Sequence, residues 1–341
     1  MKLMKLMACA ALAAACAVGI SGCGSKDYSK PKVAEGALAA IVVRPAENTS
    51  LAQLCKQYGL GLSDLMKKIP GEKSQDVVKE LELEKAEHKW LAITIQDVSA
   101  EKVEKGEPDL AVAIATSVDL EKVIASVEKE IKEEKKDDEI KKVTVAGVPA
   151  YEFVKKQKSD AFAANLDKQL ILVATTQAGL EKQIALYRDG KGASAEFSSF
   201  GLSANDILRI KVMKVGENVK KSLPSPDSLQ MVNNFVPDGD KIVLGMGAVE
   251  LALGAADKDV KLDLTVETAA DADADKLVTV AKAGLMGLTS QMQKAADKNA
   301  DAKFAYDALQ GVKVEAKGKV ASLTAAAPAE PILKLVSEKI K

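Results

Sequence analysis

Asp259-Val260-Lys261-Leu262-Asp263-Leu264-Thr265-Val266-Glu267 alternates polar and apolar residues without a break. Successive side chains of a strand point to opposite faces. Val260, Leu262, Leu264 and Val266 therefore line one face, and Asp259, Lys261, Asp263, Thr265 and Glu267 line the other. A period-two run of this kind predicts an antiparallel strand with one face on a core and one toward water. Working outward, Ile242 to Leu253 reads as its partner strand, and Ile207 to Val215 as an earlier strand. Ser225-Pro226-Asp227 reads as a helix start, with a cap, a proline at the first position and an acid near the positive end of the helix dipole. Downstream, Asp271, Asp273 and Asp275 open a long helix. Gly311 to Ala325 reads as a hairpin turning near Gly318, and Pro328 to Ile340 as a closing helix.

The first half of the chain runs through a similar order. Ala37 to Arg44 is an apolar strand. Leu51 to Ile69 reads as two short helical pieces broken at Gly59 and Gly61. Trp90 to Val98 and Leu110 to Thr116 alternate as a strand pair. Asp119 then caps a helix whose Leu120, Val123, Ile124, Val127 and Ile131 recur at helical spacing. The charge run Glu128 to Lys142 reads as the solvated end of that helix. Val143 to Val154 predicts a hairpin around Gly147-Val148-Pro149, and Phe162 to Thr175 another, turning near Asp167-Lys168-Gln169. Thr176 starts a helix that runs to Tyr187. Asp189 to Ala204 is rich in Gly, Ser and Ala and reads as a connection.

Antiparallel pairs with helices between them predict an α+β fold, because short hairpins cannot supply the crossovers of a parallel sheet. The expectation is two related units of antiparallel sheet with covering helices, over residues 33–190 and 205–341. Residues 191–204 join them, and the second unit lacks the extra hairpin. The order loosely resembles uncharacterised two-repeat bacterial lipoproteins of α+β fold, a resemblance that brings no activity with it.

The amino terminus carries a different signal. Lys2 and Lys5 form a cationic region, Leu6 to Val18 an apolar one, and small residues precede Cys23. Ile20-Ser21-Gly22-Cys23 resembles the lipobox of bacterial lipoproteins. The resemblance implies removal of residues 1–22 as a signal peptide, a thioether-linked lipid on Cys23 and acylation (palmitate or a similar chain) of the new terminus. Residues 23–32 read as a polar lipidated tether reaching on the order of 30 Å when extended. Gly24 stands where an aspartate often retains such proteins at the inner membrane, so the resemblance implies the outer membrane of the cell envelope, facing the periplasm. Several acyl chains hold a protein stably where one binds marginally.

Composition excludes more than it assigns. The formal charge is −1, with 48 Lys and Arg against 49 Asp and Glu, well interspersed. No basic field steers toward nucleic acid. Arg44, Arg188 and Arg209 are the only arginines, which argues against a bidentate phosphate site. Aromatics make up 4% of residues, too few for a stacking platform. Of four cysteines, Cys9 and Cys16 leave with the leader, Cys23 takes lipid and Cys55 is left alone, so no internal disulfide forms. Cys55 falls at helical spacing with Leu51, Leu54 and Tyr58, as a small buried hydrophobe would.

No reaction can be assembled from the remaining motifs. The single histidine, His88, and one free thiol leave zinc, copper and haem without their usual ligands, so no metal or other cofactor is expected. Asp271-Ala-Asp-Ala-Asp275 echoes an acidic calcium loop but lacks its turn glycine and distal glutamate. Ser126-Val127-Glu128-Lys129 matches Ser-x-x-Lys inside an amphipathic helix, without the companion motifs. Gly245-Met246-Gly247 lacks the third glycine of a phosphate loop. Asn48-Thr49-Ser50 fits a helix cap as well as a glycan acceptor. His88 and Trp90 flank a strand start and read as structural.

One pattern points to binding. Ala111, Ala113 and Ala115, with Ala92, and Gly245 and Gly247, with Ala252, leave small residues opposite the large apolar ones. The long helix carries Leu277, Leu285, Leu288 and Met292 with Gly284 and Gly287, and Met213, Met231, Met246 and Met286 add pliable apolar surface. Close helix-on-sheet packing explains such residues, and so does an apolar groove for an acyl chain or peptide. The expected role is that of a lipid-anchored, extracytoplasmic, non-catalytic protein, structural in the envelope or binding a partner there. The alternative is a carrier or chaperone for lipid, lipoprotein or another apolar ligand in a sheet–helix groove. The expected partners are the membrane through the anchor, and an envelope protein or apolar ligand, but no nucleic acid.

Overall fold

The computed structural model describes residues 28, 30–44, 53–55, 57–58, 88–97, 109–133, 137–198, 200, 206–222, 226–256, 258–297 and 299–340. The chain divides into two compact units near residue 207. Both are antiparallel sheet with helices, so the fold is α+β as the alternation predicts.

In the first unit, strands β1 (Ala39–Val43), β2 (His88–Asp97) and β3 (Asp109–Thr116) precede helix α1 (Leu120–Glu133). Strands β4 (Asp138–Val145), β5 (Val148–Lys155), β6 (Lys158–Leu166) and β7 (Leu170–Ala174) follow, then helix α2 (Gln177–Ile184). The strand order is β1-β2-β3-β7-β6-β5-β4. The Asp119 carboxylate caps α1 by accepting from the Glu121 N–H at 2.9 Å, and the Thr176 hydroxyl caps α2 by accepting from the Gly179 N–H at 3.0 Å.

Strands β4 to β7 form a meander joined by turns of two, two and three residues. Both central residues of each turn have positive φ: Ala146 and Gly147, Lys156 and Gln157, Asp167 and Lys168. That is the turn hand that matches strand twist, and only the first of the three has a glycine. The charge run expected to solvate the end of α1 is corrected here, because Asp138–Val145 is a strand. It lies at the end of the sheet, where alternating charges suit an edge.

Both faces of this sheet are covered. On one, Leu91, Ile114, Ile171 and Val173 pack with Phe153, Ala161 and Ala163 against Leu120 and Ile124 of α1. On the other, Trp90, Ala92 and Thr94 of β2 lie beside Ala111, Ala113 and Ala115 of β3 and Leu170, Leu172 and Ala174 of β7. Helix α2, which supplies the buried Leu180 and Ile184, packs across β3, β6 and β7 on this side. A Cβ placed on Gly179 would sit 3.2 Å from the Ala174 Cβ, which measures how close helix and strand come. A π-helical turn, Ala185–Asp189, continues α2 and ends at Gly190 with φ +68°.

The second unit repeats the order with one hairpin fewer. Strand β8 (Asp206–Met213) leads to helix α3 (Val215–Ser222), a 3-10 segment (Pro226–Asn234) and helix α4 (Gly239–Leu244). The strand pair β9 (Ala248–Ala256) and β10 (Asp259–Glu267) follows, then helices α5 (Asp271–Ala296) and α6 (Ala300–Gln310). Hairpin β11 (Lys313–Lys317) and β12 (Val320–Pro328) and helix α7 (Ala329–Ile340) close it. Its strand order is β8-β9-β10-β12-β11. In both units the third strand pairs with the last, which is what the parallel element orders imply.

Two readings in this unit are corrected. The segment after Pro226 is a nine-residue 3-10 helix rather than an α-helix, and Ser225 lies outside the described residues. Ile242-Val243-Leu244 is helical, not strand. The β-branched pair favours a strand only weakly, and the Gly245-Met246-Gly247 break separates the triplet from β9. A Cβ on Gly216 would collide with the Leu244 carbonyl, so only glycine lets α3 approach the end of α4 this closely.

The predicted helical pieces over Leu51–Ile69 fall largely outside the described residues. Gln53–Cys55 is helical, and the Tyr58 N–H donates to the Leu54 carbonyl at 3.1 Å.

Candidate functional site

Trp90 organises the entry of the chain into the first unit. Its indole Nε1 donates to the Tyr28 carbonyl at 2.8 Å, and its ring stacks on Tyr187 with centroids 5.9 Å apart. The Tyr28 hydroxyl donates to Asp167 Oδ2 at 2.9 Å in the β6–β7 turn. The Lys32 N–H donates to the Tyr187 hydroxyl at 2.9 Å, which in turn donates to the Lys32 carbonyl at 3.1 Å. The Lys32 ammonium lies 5.8 Å from the Tyr187 ring centroid, in cation–π range. Farther along, the Ser194 N–H donates to the Val33 carbonyl and the Glu35 N–H to the Gly192 carbonyl.

Tyr28, Val33 and Ala34 are all buried. Burial raises the pKa of the Tyr28 and Tyr187 phenols well above the ordinary value; for Tyr28 the bond to Asp167 adds to it. Of the tether expected over residues 23–32, residues 23–27 and Ser29 lie outside the described residues, and the part from Tyr28 to Lys32 is corrected. From Tyr28 onward the chain is strapped onto the first unit. The contacts responsible join residues 62, 139 and 155 positions apart, so local sequence patterns do not show them.

The seven residues proposed to line an apolar groove are divided between the two units. Ala111, Ala113 and Ala115 are 2%, 3% and 1% exposed, in the sheet face that α2 covers, so close packing fills that part. Gly245, Gly247, Leu285 and Met292 belong to the second unit. Gly245 ends α4, where a Cβ would lie 3.1 Å from the Ala269 Cβ; one on Gly247 would lie 3.4 Å from the Glu267 side chain. Leu285 lies 14 residues along α5, about 21 Å from its start at 1.5 Å per residue. It packs toward Ala274, Val278, Val314 and Ala321. Met292 is half-buried farther along.

The second unit does carry incompletely covered apolar surface, and Met231, Met286 and Leu288 of the expected pattern are part of it. On β10, Val260, Leu262 and Leu264 are half-buried, as are Leu251 and Leu253 opposite them on β9. Arg209 and Lys211 of β8 both pair with Glu250, on the other face. By alternation Leu208, Ile210 and Val212 therefore share the face of Leu251 and Leu253. Met286 and Leu288 of α5 are 68% and 50% exposed, and Met231 and Phe235, beside α4, are 71% and 75% exposed. Cβ atoms on Gly284 or Gly287 would meet nothing within 4 Å. Charge closes the neighbouring helix start, where the Asp238 carboxylate accepts from Lys276 and Lys241 at 3.1 and 3.2 Å. Those bonds hold it below the usual carboxylate range.

Chemistry-bearing residues are placed as follows. Cys55 is half-buried and burial raises its thiol, which suppresses the thiolate. His88 starts β2 opposite Thr116. Ser126 to Lys129 lie within α1, Asp271 to Asp275 in the first turns of α5, and Gly245 to Gly247 between α4 and β9. Among the described residues no group of three or more His, Cys, Asp or Glu side chains is arranged to hold a metal. Among them, too, no helix is long and apolar enough to cross a membrane. Cys23 and Asn48 to Ser50 lie outside the described residues.

No family model matches the chain, and no curated protein matches it. Among solved structures it is similar to crystal forms IV, I and III of TP0453. Identities are 12%, 11% and 11%, and TM-scores 0.39, 0.37 and 0.41. The matches cover 89%, 89% and 90% of this chain and 94%, 94% and 96% of the other.

Proposed function

We propose that the protein is a lipid-anchored, extracytoplasmic, non-catalytic component of the cell envelope that binds a partner there or serves as structure. The single observation that carries this reading is the strap. Ile20-Ser21-Gly22-Cys23 has the form of a lipidation site, and the chain enters a folded, doubly covered unit five residues later, at Tyr28. A bilayer-held cysteine would thus be joined directly to a rigid body. The outer membrane is the favoured location, through Gly24. The raised Cys55 thiol supports a non-catalytic role.

The test is Cys23→Ser. The unaltered chain should incorporate labelled fatty acid, lose its leader and pellet with membranes. The variant should do none of these. Equal processing and equal membrane recovery of the two would end the proposal.

A second reading, a carrier of lipid, lipoprotein or another apolar ligand, draws on the half-buried faces of β9 and β10 and on exposed Met286 and Leu288 in the second unit. Such a carrier should copurify with extractable lipid. Protein free of lipid after mild purification would count against it.

A further inference from the structure

We infer that one pole of the first unit is a bilayer-facing surface, held against the lipid headgroups of the membrane that carries the anchor. The inference rests on the proposed lipidation of Cys23 and adds to it the orientation of the body.

The leash is short. Tyr28 is fixed by its hydroxyl on Asp167 and its carbonyl on Trp90. Only Gly24 to Asp27 separate it from Cys23, so five residue steps at about 3.4 Å give a reach of about 17 Å even when fully extended. The strand register shows which end of the sheet Tyr28 occupies. Asp167 and Lys168 form the β6–β7 turn. His88 pairs with Thr116 where β2 begins and β3 ends, and the Thr116 N–H donates to the Gln169 carbonyl. The meander brings the Ala146-Gly147 turn to the same end, where Arg188 donates to the Ala146 carbonyl at 2.8 Å. The turn at Lys156-Gln157 lies at the opposite end of β6, nine residues or about 30 Å away.

The chemistry of this pole suits headgroups rather than the hydrocarbon core. Lys30, Lys168 and Arg188 are exposed and Lys89 half-exposed, against Asp119, Asp167 and Asp189. Every large hydrophobic residue found exposed among the described residues belongs to the second unit, so the described part of the first unit shows no apolar patch on which to lie flat. The short leash at one pole leaves that pole nearest the bilayer.

The test uses the full lipidated chain in vesicles containing a lipid with a headgroup-linked quencher, in a Cys55→Ser background. A fluorophore is placed on Ser117→Cys, at the proposed pole, or on Lys158→Cys, at the far end; both sites are exposed. The label at 117 should lose most of its emission and the label at 158 should keep it. A twenty-residue Gly-Ser insertion after Asp27 should relieve quenching at 117 while the protein still floats with the vesicles. Equal quenching at both sites, or quenching unmoved by the insertion, with flotation intact, overturns the orientation and leaves lipidation standing. Loss of flotation without any insertion, in chains whose folding is verified by Trp90 fluorescence, overturns both.

Discussion

The two units share a strand order and differ in how they are covered. The first has helix α1 on one face of its sheet and helix α2 with the strap on the other. In the second, α5 packs on β11 and β12, while the apolar residues of β8, β9 and β10 stay half-buried. The same topology thus yields one body that is a packed core and one that keeps apolar surface within reach of solvent. Topology fixes which strands are neighbours, whereas coverage depends on where the helices fall, and coverage decides what is left over for binding.

The largest effect should separate the cores. Leu172→Ala, fully buried in the first unit, should cost about 3 kcal/mol. Leu262→Ala, half-buried in the second, should cost about 1 kcal/mol. Hydrogen exchange read unit by unit checks both, and equal losses would erase the contrast. The chain's one tryptophan, Trp90, reports the first unit by fluorescence.

Alkali should also strike the first unit. The neutral form of Tyr187 is favoured by burial, so its pKa is raised on folding. The unfolded chain then gives up this proton first as pH rises. The contribution is complete below about pH 10, the ordinary tyrosine value, and falls above it by about 1.4 kcal/mol per pH unit. Trp90 fluorescence in denaturant at pH 9 and 11 should show the loss, and Tyr187→Phe should flatten the trend. A pH-independent midpoint in the unaltered chain would contradict the buried, neutral phenol.

Gln183 of α2 is buried, and its amide nitrogen has no hydrogen-bond partner among the described residues. Gln183→Met should remove that desolvation cost and stabilise the first unit by about 1 kcal/mol, measured by denaturant midpoint. Replacing Lys156-Gln157 by Asn-Gly in the turn with two positive φ angles should add about 0.5 kcal/mol more. In the second unit, Met231→Ser with Phe235→Ser should change stability by less than about 0.5 kcal/mol. The same pair should clearly lower the binding of an apolar fluorescent dye. Undiminished dye binding would place the unit's accessible apolar surface elsewhere, on the sheet or on α5.

Local signals explain which parts of this fold were legible. The alternation at Val260–Val266, the caps at Asp119 and Thr176 and the turns at Gly147 and Gly318 act over a few residues, and each is where the pattern predicts. Asp138–Lys142 read as a solvated run because edge strands take the same charges as helix ends. Ile242–Leu244 read as strand because three apolar residues have no period of their own. The Lys156-Gln157 turn carries no glycine to mark it. For the candidate groove, small residues revealed close approach but not which element closes over them. The strap was illegible because its hydrogen bonds span most of the first unit. Of the exposed apolar residues of the second unit, Met231, Met286 and Leu288 are marked by composition, whereas Phe235 stands out only once coverage is known.

The four-strand meander has a kinetic consequence. Its neighbours in space are neighbours in sequence, joined by turns of two or three residues, so these hairpins can close within microseconds. The Tyr28 latch closes loops of 62 and 139 residues and needs the β6–β7 turn and the Trp90 strand already in place. Its closure should therefore follow that of the hairpins. With Cys23 lipidated as proposed, each opening of the latch would lengthen the leash before the indole recaptures Tyr28.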